Sequence, residues 1–275
     1  MKKNTIALWM ALTAVTFSAK AQQKNESKGS FSGGFETNAQ WYLNDTGLKN
    51  EYNNPTVHPV DPLRSNSYLF VNYKIKKWIF GIQAEAYEQK ALLNMNPKYN
   101  QTNIATYFAQ YKGEKLDVTA GYFYEQFGSG LLFRSWEDRA LGINNALRGG
   151  RIIFKPLKSL TIKGIYGQQR TGFDVAESEI FGGNFDFSVS DLLGWKTTSL
   201  SFGSDYIWRY EKTNIAHPNF DNLTHGIGSR ISLSHESVYF SAEYDYKSPD
   251  AVVQAPEQID NRLIKPGNAL LIKDR

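Results

Sequence analysis

The stretch QFGSGLLFRSWEDRALGINNALRGG, Gln126 to Gly150, packs a GSG turn, three arginines and two acids into one segment. Glu125 precedes it and Arg151 follows it. Residues of these types can do three things: cradle a phosphate, line a catalytic loop, or fold back into a pore. Gly128 and Gly130 permit a bend or a close backbone approach. A phosphate-binding loop would continue into GK[ST], and none follows. A pore loop places Glu125, Arg134, Glu137, Asp138, Arg139, Arg148 and Arg151 at a mouth, where they set ion or substrate preference. The same charges could instead pair among themselves and only fix the loop. SWEDRALG predicts one helical turn, with Ser135 as N-cap and Glu137 and Asp138 at its positive end.

Catalysis finds little support elsewhere. The four histidines are His58, His217, His225 and His235, and the chain has no cysteine, GxSxG or HExxH. His217 or His225 with Asp221 is the arrangement a lipid-edge hydrolase would use. The acids of FDN, SPDAVV and VDP are scattered and lack the spacing of an EF-hand loop. The expectation is a protein with no catalytic residues, no metal ligands and no cofactor.

The elements around the stretch decide between the readings. Period-2 alternation recurs along the chain. In LDVTAGYFYE, Leu116, Val118, Ala120, Tyr122 and Tyr124 share one face, opposite Asp117, Thr119, Gly121 and Glu125. In SVYFSAEYDY, Val238, Phe240, Ala242, Tyr244 and Tyr246 oppose Ser241, Glu243 and Asp245. In SLTIKGIYG, Leu160, Ile162 and Tyr166 oppose Thr161, Lys163 and Gly167. Strands are predicted at 30–43, 65–75, 78–89, 102–112, 115–125, 147–155, 159–170, 178–190, 196–209, 225–234, 237–247 and 266–273. Most have the length of a tilted strand that crosses a hydrocarbon core.

The predicted connections alternate in length. Short ones fall at Ile75–Trp78, Lys112–Lys115, Lys155–Ser159, Ser190–Trp195 and His235–Ser237. Long ones fall at Asn44–Arg64, Lys90–Gln101, Gln126–Ala146, Thr171–Glu177, Tyr210–Thr224 and Ser248–Lys265. Short periplasmic turns and long outer loops are the habit of outer-membrane barrels. Trp41, Tyr42, Tyr87, Tyr122, Tyr124, Tyr206, Trp208, Tyr244 and Tyr246 gather toward the outer ends, and Trp78 and Trp195 lie by the short turns. These read as two interfacial girdles. A polar lumen face would carry Glu36, Asn38, Gln40, Gln83, Glu85, Asp117, Lys163, Arg230, Glu243 and Asp245.

Composition agrees. Aromatics make up 14% of the residues and glycines number 22, yet the mean hydropathy is −0.46. A chain polar on average yet aromatic-rich fits strands with only one face in lipid. A net charge of +4 is too mild to imply nucleic acid. The N-terminus reads as a signal peptide, residues 1–21: basic MKK, the apolar run Thr5 to Phe17, then AKA ending at Ala21.

The segment GYFYEQFGSGLLFRSWEDRALGINNALRGGRI resembles one in a family of uncharacterised Bacteroidota outer-membrane proteins, a domain-of-unknown-function family. GSFSGGFETNAQWYLND resembles that family's N-terminal segment, and a weaker likeness links the chain to alginate-export-type porins. The resemblance implies a β-barrel of the cell outer membrane and transfers no catalytic residue.

The expected fold is all-β: an antiparallel transmembrane β-barrel domain over residues 22–275. The ending KPGNALLIKDR lacks the aromatic terminal residue usual for such barrels. The expectation is a barrel of about twelve strands truncated at its C-terminus, with a complete barrel of that number as the alternative. The expected function is a porin-like channel for a small polar solute. The alternative is a structural or surface-interaction barrel serving a secretion or motility assembly. The expected partners are outer-membrane lipid and the barrel-insertion machinery.

Overall fold

A computed structural model describes residues 28–42, 63–88, 91–92, 99–211, 222–250, 253–254, 258–259 and 265–274. The expected signal peptide, His58, His217, Asp221 and most of the long connections at 44–64, 90–101, 210–224 and 248–265 lie outside these residues.

Twelve long strands form one antiparallel sheet. They are β1 (Ser30–Trp41), β2 (Leu63–Ile75), β3 (Trp78–Ala86), β4 (Thr102–Lys112), β5 (Leu116–Phe123), β10 (Leu147–Leu157), β11 (Leu160–Thr171), β12 (Asp174–Ser188), β13 (Thr198–Tyr210), β14 (Leu223–His235), β15 (Val238–Asp250) and β18 (Lys265–Asp274). Short strands intervene: β6 (Glu125–Gln126), β7 (Arg134–Ser135), β8 (Glu137–Asp138), β9 (Ile143–Asn144), β16 (Val253–Gln254) and β17 (Gln258–Ile259). The long strands are hydrogen-bonded in sequence order, β1 to β18, with no crossover. The chain divides into two units, residues 1–109 and 110–275.

In the first unit β1 pairs with β2 without a break, from Ser30 opposite Lys74 to Trp41 opposite Leu63. Register and alternation together fix the faces. Phe31, Phe35, Leu69, Val71, Phe80 and Ile82 are exposed on one face. The other face is polar. Glu85 is buried there, accepting from Tyr87 at 2.6 Å and Gln83 at 2.9 Å. Tyr87 is buried edge-on to Tyr68 and Tyr99. The expected place of Tyr87 in a girdle is therefore corrected: its hydroxyl serves a buried carboxylate on the polar side.

The second unit follows the same rule. Val118, Ile152, Ile162, Phe185, Phe202, Ile227 and Phe240 are all exposed on its bare face. Near one end of these strands the face becomes an aromatic row. Tyr166 contacts Phe181 at 4.6 Å, Phe181 stacks on Trp208 at 5.0 Å, and Trp208 meets Tyr206 edge-on at 5.8 Å. The Tyr206 hydroxyl and His225 Nδ1 share a 2.5 Å hydrogen bond beside it. Rings with an apolar body and a polar tip suit the membrane–water boundary.

Two expected connections differ. Thr171–Glu177 is not a long loop: β11 and β12 continue pairing to Thr171 opposite Asp174. The turn is closed by Gly172 at φ +67°, and buried Arg170 donates from Nε to the Gly172 carbonyl at 2.7 Å. The hairpin satisfies its own backbone, so no loop is needed there. Ser190–Trp195 holds a helical turn, α1 (Val189–Leu193), capped by Ser188, which accepts from Asp191 N, and ended by Gly194 at φ +70°.

No helix among the described residues is long and apolar enough to cross a membrane, which says nothing of crossing by strands. A broad apolar face on an antiparallel sheet, bounded by aromatics and backed by charged residues, is stable against lipid and costly against water. This is the outer-membrane barrel type of sheet, and it places the chain in the cell outer membrane.

Candidate functional site

Between β5 and β10 of the second unit the chain does not stay at the strand ends. It folds onto the polar face of its own sheet. The anchor is Phe127, fully buried among Phe123, Leu147, Ile165 and Ile180, with Phe133 and Ile207 packed alongside. Gly182 leaves the room it needs: a Cβ there would lie 2.9 Å from the Phe127 ring. Burying one such ring stabilises the seat by about 1.5–3 kcal/mol. Leu132 closes over Gly226 in the same way.

The GSG turn lies farther along the face. Gly128 has φ +51°, and its backbone abuts Glu243, so that a Cβ would sit 2.5 Å from Oε1. This brings the Ser129 N–H to both Glu243 oxygens, at 3.1 and 3.0 Å, joining residues 114 apart in sequence. Gly130, at φ +89°, completes the bend.

The rest of the segment is two small hairpins, β6 with β7 and β8 with β9. The expected helical turn at SWEDRALG does not form. Ser135 donates its hydroxyl to the Asn145 carbonyl at 2.8 Å instead of capping, and Asn145 Oδ1 accepts from Trp136 N. Asparagine side chains thus take the backbone donors that a helix would have used.

The seven expected site residues fall in different places. Glu125 and Arg151 do meet, at 3.5 Å, and Lys163 reaches Glu125 at 2.8 Å. Arg151 also spans to Asp117 at 3.6 Å and to Thr119 Oγ1 at 3.3 Å. Glu137, Asp138 and Arg139 belong to the second hairpin. Arg139 pairs with Glu137 at 3.4 Å, and Asp138 accepts from Leu141 N. Arg134 lies 4.0 Å over the Trp136 ring. Arg148 is exposed on the opposite, bare face, because it has the parity of Ile152 and Phe154. It is not part of the cluster.

A second charged group was not anticipated as a unit. Arg230 donates to Asp205 at 2.6 Å and to Asp186, and Asn184 donates to the other Asp205 oxygen. The guanidinium lies over Gly203, where a Cβ would be 2.5 Å from Cζ. Asp186, Asp205, Arg230, Glu243 and Asp245 come from four strands, so local spacing cannot reveal them. Only their shared parity could have. Between Asp186, Arg230 and Glu243 of this group, Lys163 and the turn at Gly128 and Ser129 lies a cavity of about 310 Å³.

The site can therefore present fixed charges of both signs to a cavity bordered by a backbone turn. The described histidines lie elsewhere: His225 pairs with Tyr206, and His235 Nδ1 is 2.7 Å from Thr198 Oγ1.

Comparison with known proteins places the site in context. The description "family of unknown function (DUF6029)" matches residues 1–274. No curated protein matches. Among solved structures, OccK3 (OpdO) of Pseudomonas aeruginosa is similar at 9% identity and TM-score 0.36, over 80% of this chain and 63% of that one. This chain thus spans less than two thirds of that protein's length. OmpT, an outer membrane protein of Vibrio cholerae, is similar in a form lacking loop L8, at 14% identity and TM-score 0.34, over 80% of this chain and 70% of that one. Its in-vitro folded form is similar at 11% identity and TM-score 0.28, over 92% and 98%. At these scores the likeness adds nothing to what the strands themselves establish.

Proposed function

We propose, for a chain that belongs to this family of unknown function (DUF6029), a non-enzymatic role as a porin-like channel for small polar solutes. The polar face lines the pore, the apolar face meets lipid, and the segment from Tyr124 to Ala146 constricts the passage. The observation that carries this reading is the Ser129–Glu243 contact, which holds the loop across the charged face. A purely structural barrel has no need for a turn poised over fixed charges and a cavity. Lys163, Arg230, Asp186 and Glu243 border that cavity, so a permeating ion meets both signs.

The test is conductance of the refolded full chain in planar bilayers. Steady ohmic steps are expected. Lys163→Gln removes the cation beside Glu125 and should shift the reversal potential in a salt gradient toward cation preference. Correctly inserted protein with no conductance would refute the channel and favour the surface-interaction role.

A further inference from the structure

Asp205 lies on β13, and Glu243 and Asp245 on β15. All three are buried, and one carboxylate oxygen from each lies within 4.8 Å of the others. Acids alone would make no site. Asp245 supplies the second observation. It is only 4% exposed, and neither of its carboxylate oxygens has a hydrogen-bond partner among the described residues. A buried carboxylate with no donor is costly, and it needs a proton or a cation. Its neighbours make the need greater. Asp205 is served by Arg230 and Asn184, and Glu243 by the Ser129 N–H. Among the described residues no hydrogen-bond donor reaches Asp245, and Arg230 acts on it only through space.

We propose that Asp205, Glu243 and Asp245 bind one divalent cation, with calcium as the preferred ion. Ligand oxygens at about 2.3–2.6 Å from one Ca²⁺ can be no more than about 4.6–5.2 Å apart, which the observed spread satisfies. The donor set is all carboxylate, the chemistry of a hard cation. Asp205 and Glu243 can each accept the ion as well as the hydrogen bonds they already have, since a carboxylate has about four acceptor positions. Gly228 keeps the space clear: a Cβ there would collide with Asp245 Oδ1 and approach Asp205 Oδ2 to 3.3 Å. Water and the mixed ligation that calcium tolerates complete the shell. The three acids sit on two strands and 40 positions separate Asp205 from Asp245, so no ligand-loop motif announces them. Glu243 joins the ion to the GSG turn, and the bound cation holds that turn in place.

The site is independent of whether the protein conducts, and its test uses binding. The refolded full chain in detergent, stripped with chelator, is titrated calorimetrically with CaCl₂ and separately with MgCl₂. One Ca²⁺ per chain should bind saturably, with Mg²⁺ at least tenfold weaker, and heat-modifiable migration should persist to higher temperature when Ca²⁺ is present. Asp245→Asn keeps the shape of the side chain and should weaken Ca²⁺ at least tenfold, whereas Glu137→Gln in the β8–β9 hairpin should bind like the parent. No saturable binding by the parent chain overturns the proposal whatever the variants do. Unchanged affinity in Asp245→Asn overturns it equally. Binding by the parent at one ion per chain supports it even if Asp245→Asn does not assemble.

Discussion

Val118→Arg should abolish outer-membrane assembly, whereas Ser241→Arg should leave it intact. Val118 lies on the bare face of β5, opposite Ile152 on β10, among exposed apolar neighbours. An arginine near the membrane midplane of a lipid-facing strand costs about 2–4 kcal/mol. Every 1.4 kcal/mol is a factor of about ten, so folded yield should fall by roughly 30-fold to several hundred-fold. Ser241 borders the cavity on the other face of its strand. A long cation there stays hydrated and can approach Glu243 or Asp186. Heat-modifiable migration and protease resistance of the membrane fraction read both variants. Equal losses would mean that the two faces do not differ in their solvent, and the membrane reading would fail.

Gly128→Val should open the channel without harming the barrel. Position 128 has φ +51°, a conformation that costs an L-residue about 1–2 kcal/mol and is worse for a β-branched one. Its new side chain would also strike Glu243 Oε1. The turn must leave, and the hydrogen bonds from Ser129 N to Glu243 go with it. Bonds to a charged acceptor contribute about 1.5–3 kcal/mol. Together these terms disfavour the seated turn by several kcal/mol, about a hundredfold or more in population. Phe127 still holds the root of the segment, and the strand registers do not involve position 128. Single-channel conductance should rise severalfold, with assembly unchanged. Conductance equal to the parent's would show that the turn does not limit flow.

The strands were legible because their signal is local. Leu116, Val118 and Ala120 announce a face within five residues, and all three are exposed on it, whereas Tyr122, expected in the same row and in a girdle, is buried. Arg148 was legible too: its parity with Ile152 and Phe154 puts it on the bare face, but its place in a charge-rich segment masked that. The path of the segment was not legible. It depends on Phe127 finding a pocket built by β10, β11 and β12, and on Glu243 lying 114 residues from Ser129. Ser135 illustrates a different limit. The pattern of a helix N-cap was present, but Asn145 offered the backbone a better partner and a hairpin formed. The Asp205–Glu243–Asp245 group shows a third: three strand residues become neighbours only through two registers, Asp205 opposite Gly228 and Gly228 opposite Asp245.

In a channel built this way, one face of the second unit lines a water-filled pore and the other meets lipid. The chain has no native cysteine, so single cysteines report cleanly. Ser232 borders the cavity, and Leu233, the next residue on β14, is exposed on the bare face. The decisive measurement is the current through Ser232→Cys and Leu233→Cys channels in a planar bilayer before and after a bulky, charged, membrane-impermeant thiol reagent. A stepwise, lasting block is expected for Ser232→Cys and none for Leu233→Cys. Block at Leu233→Cys with none at Ser232→Cys would mean that the polar face does not line the pore.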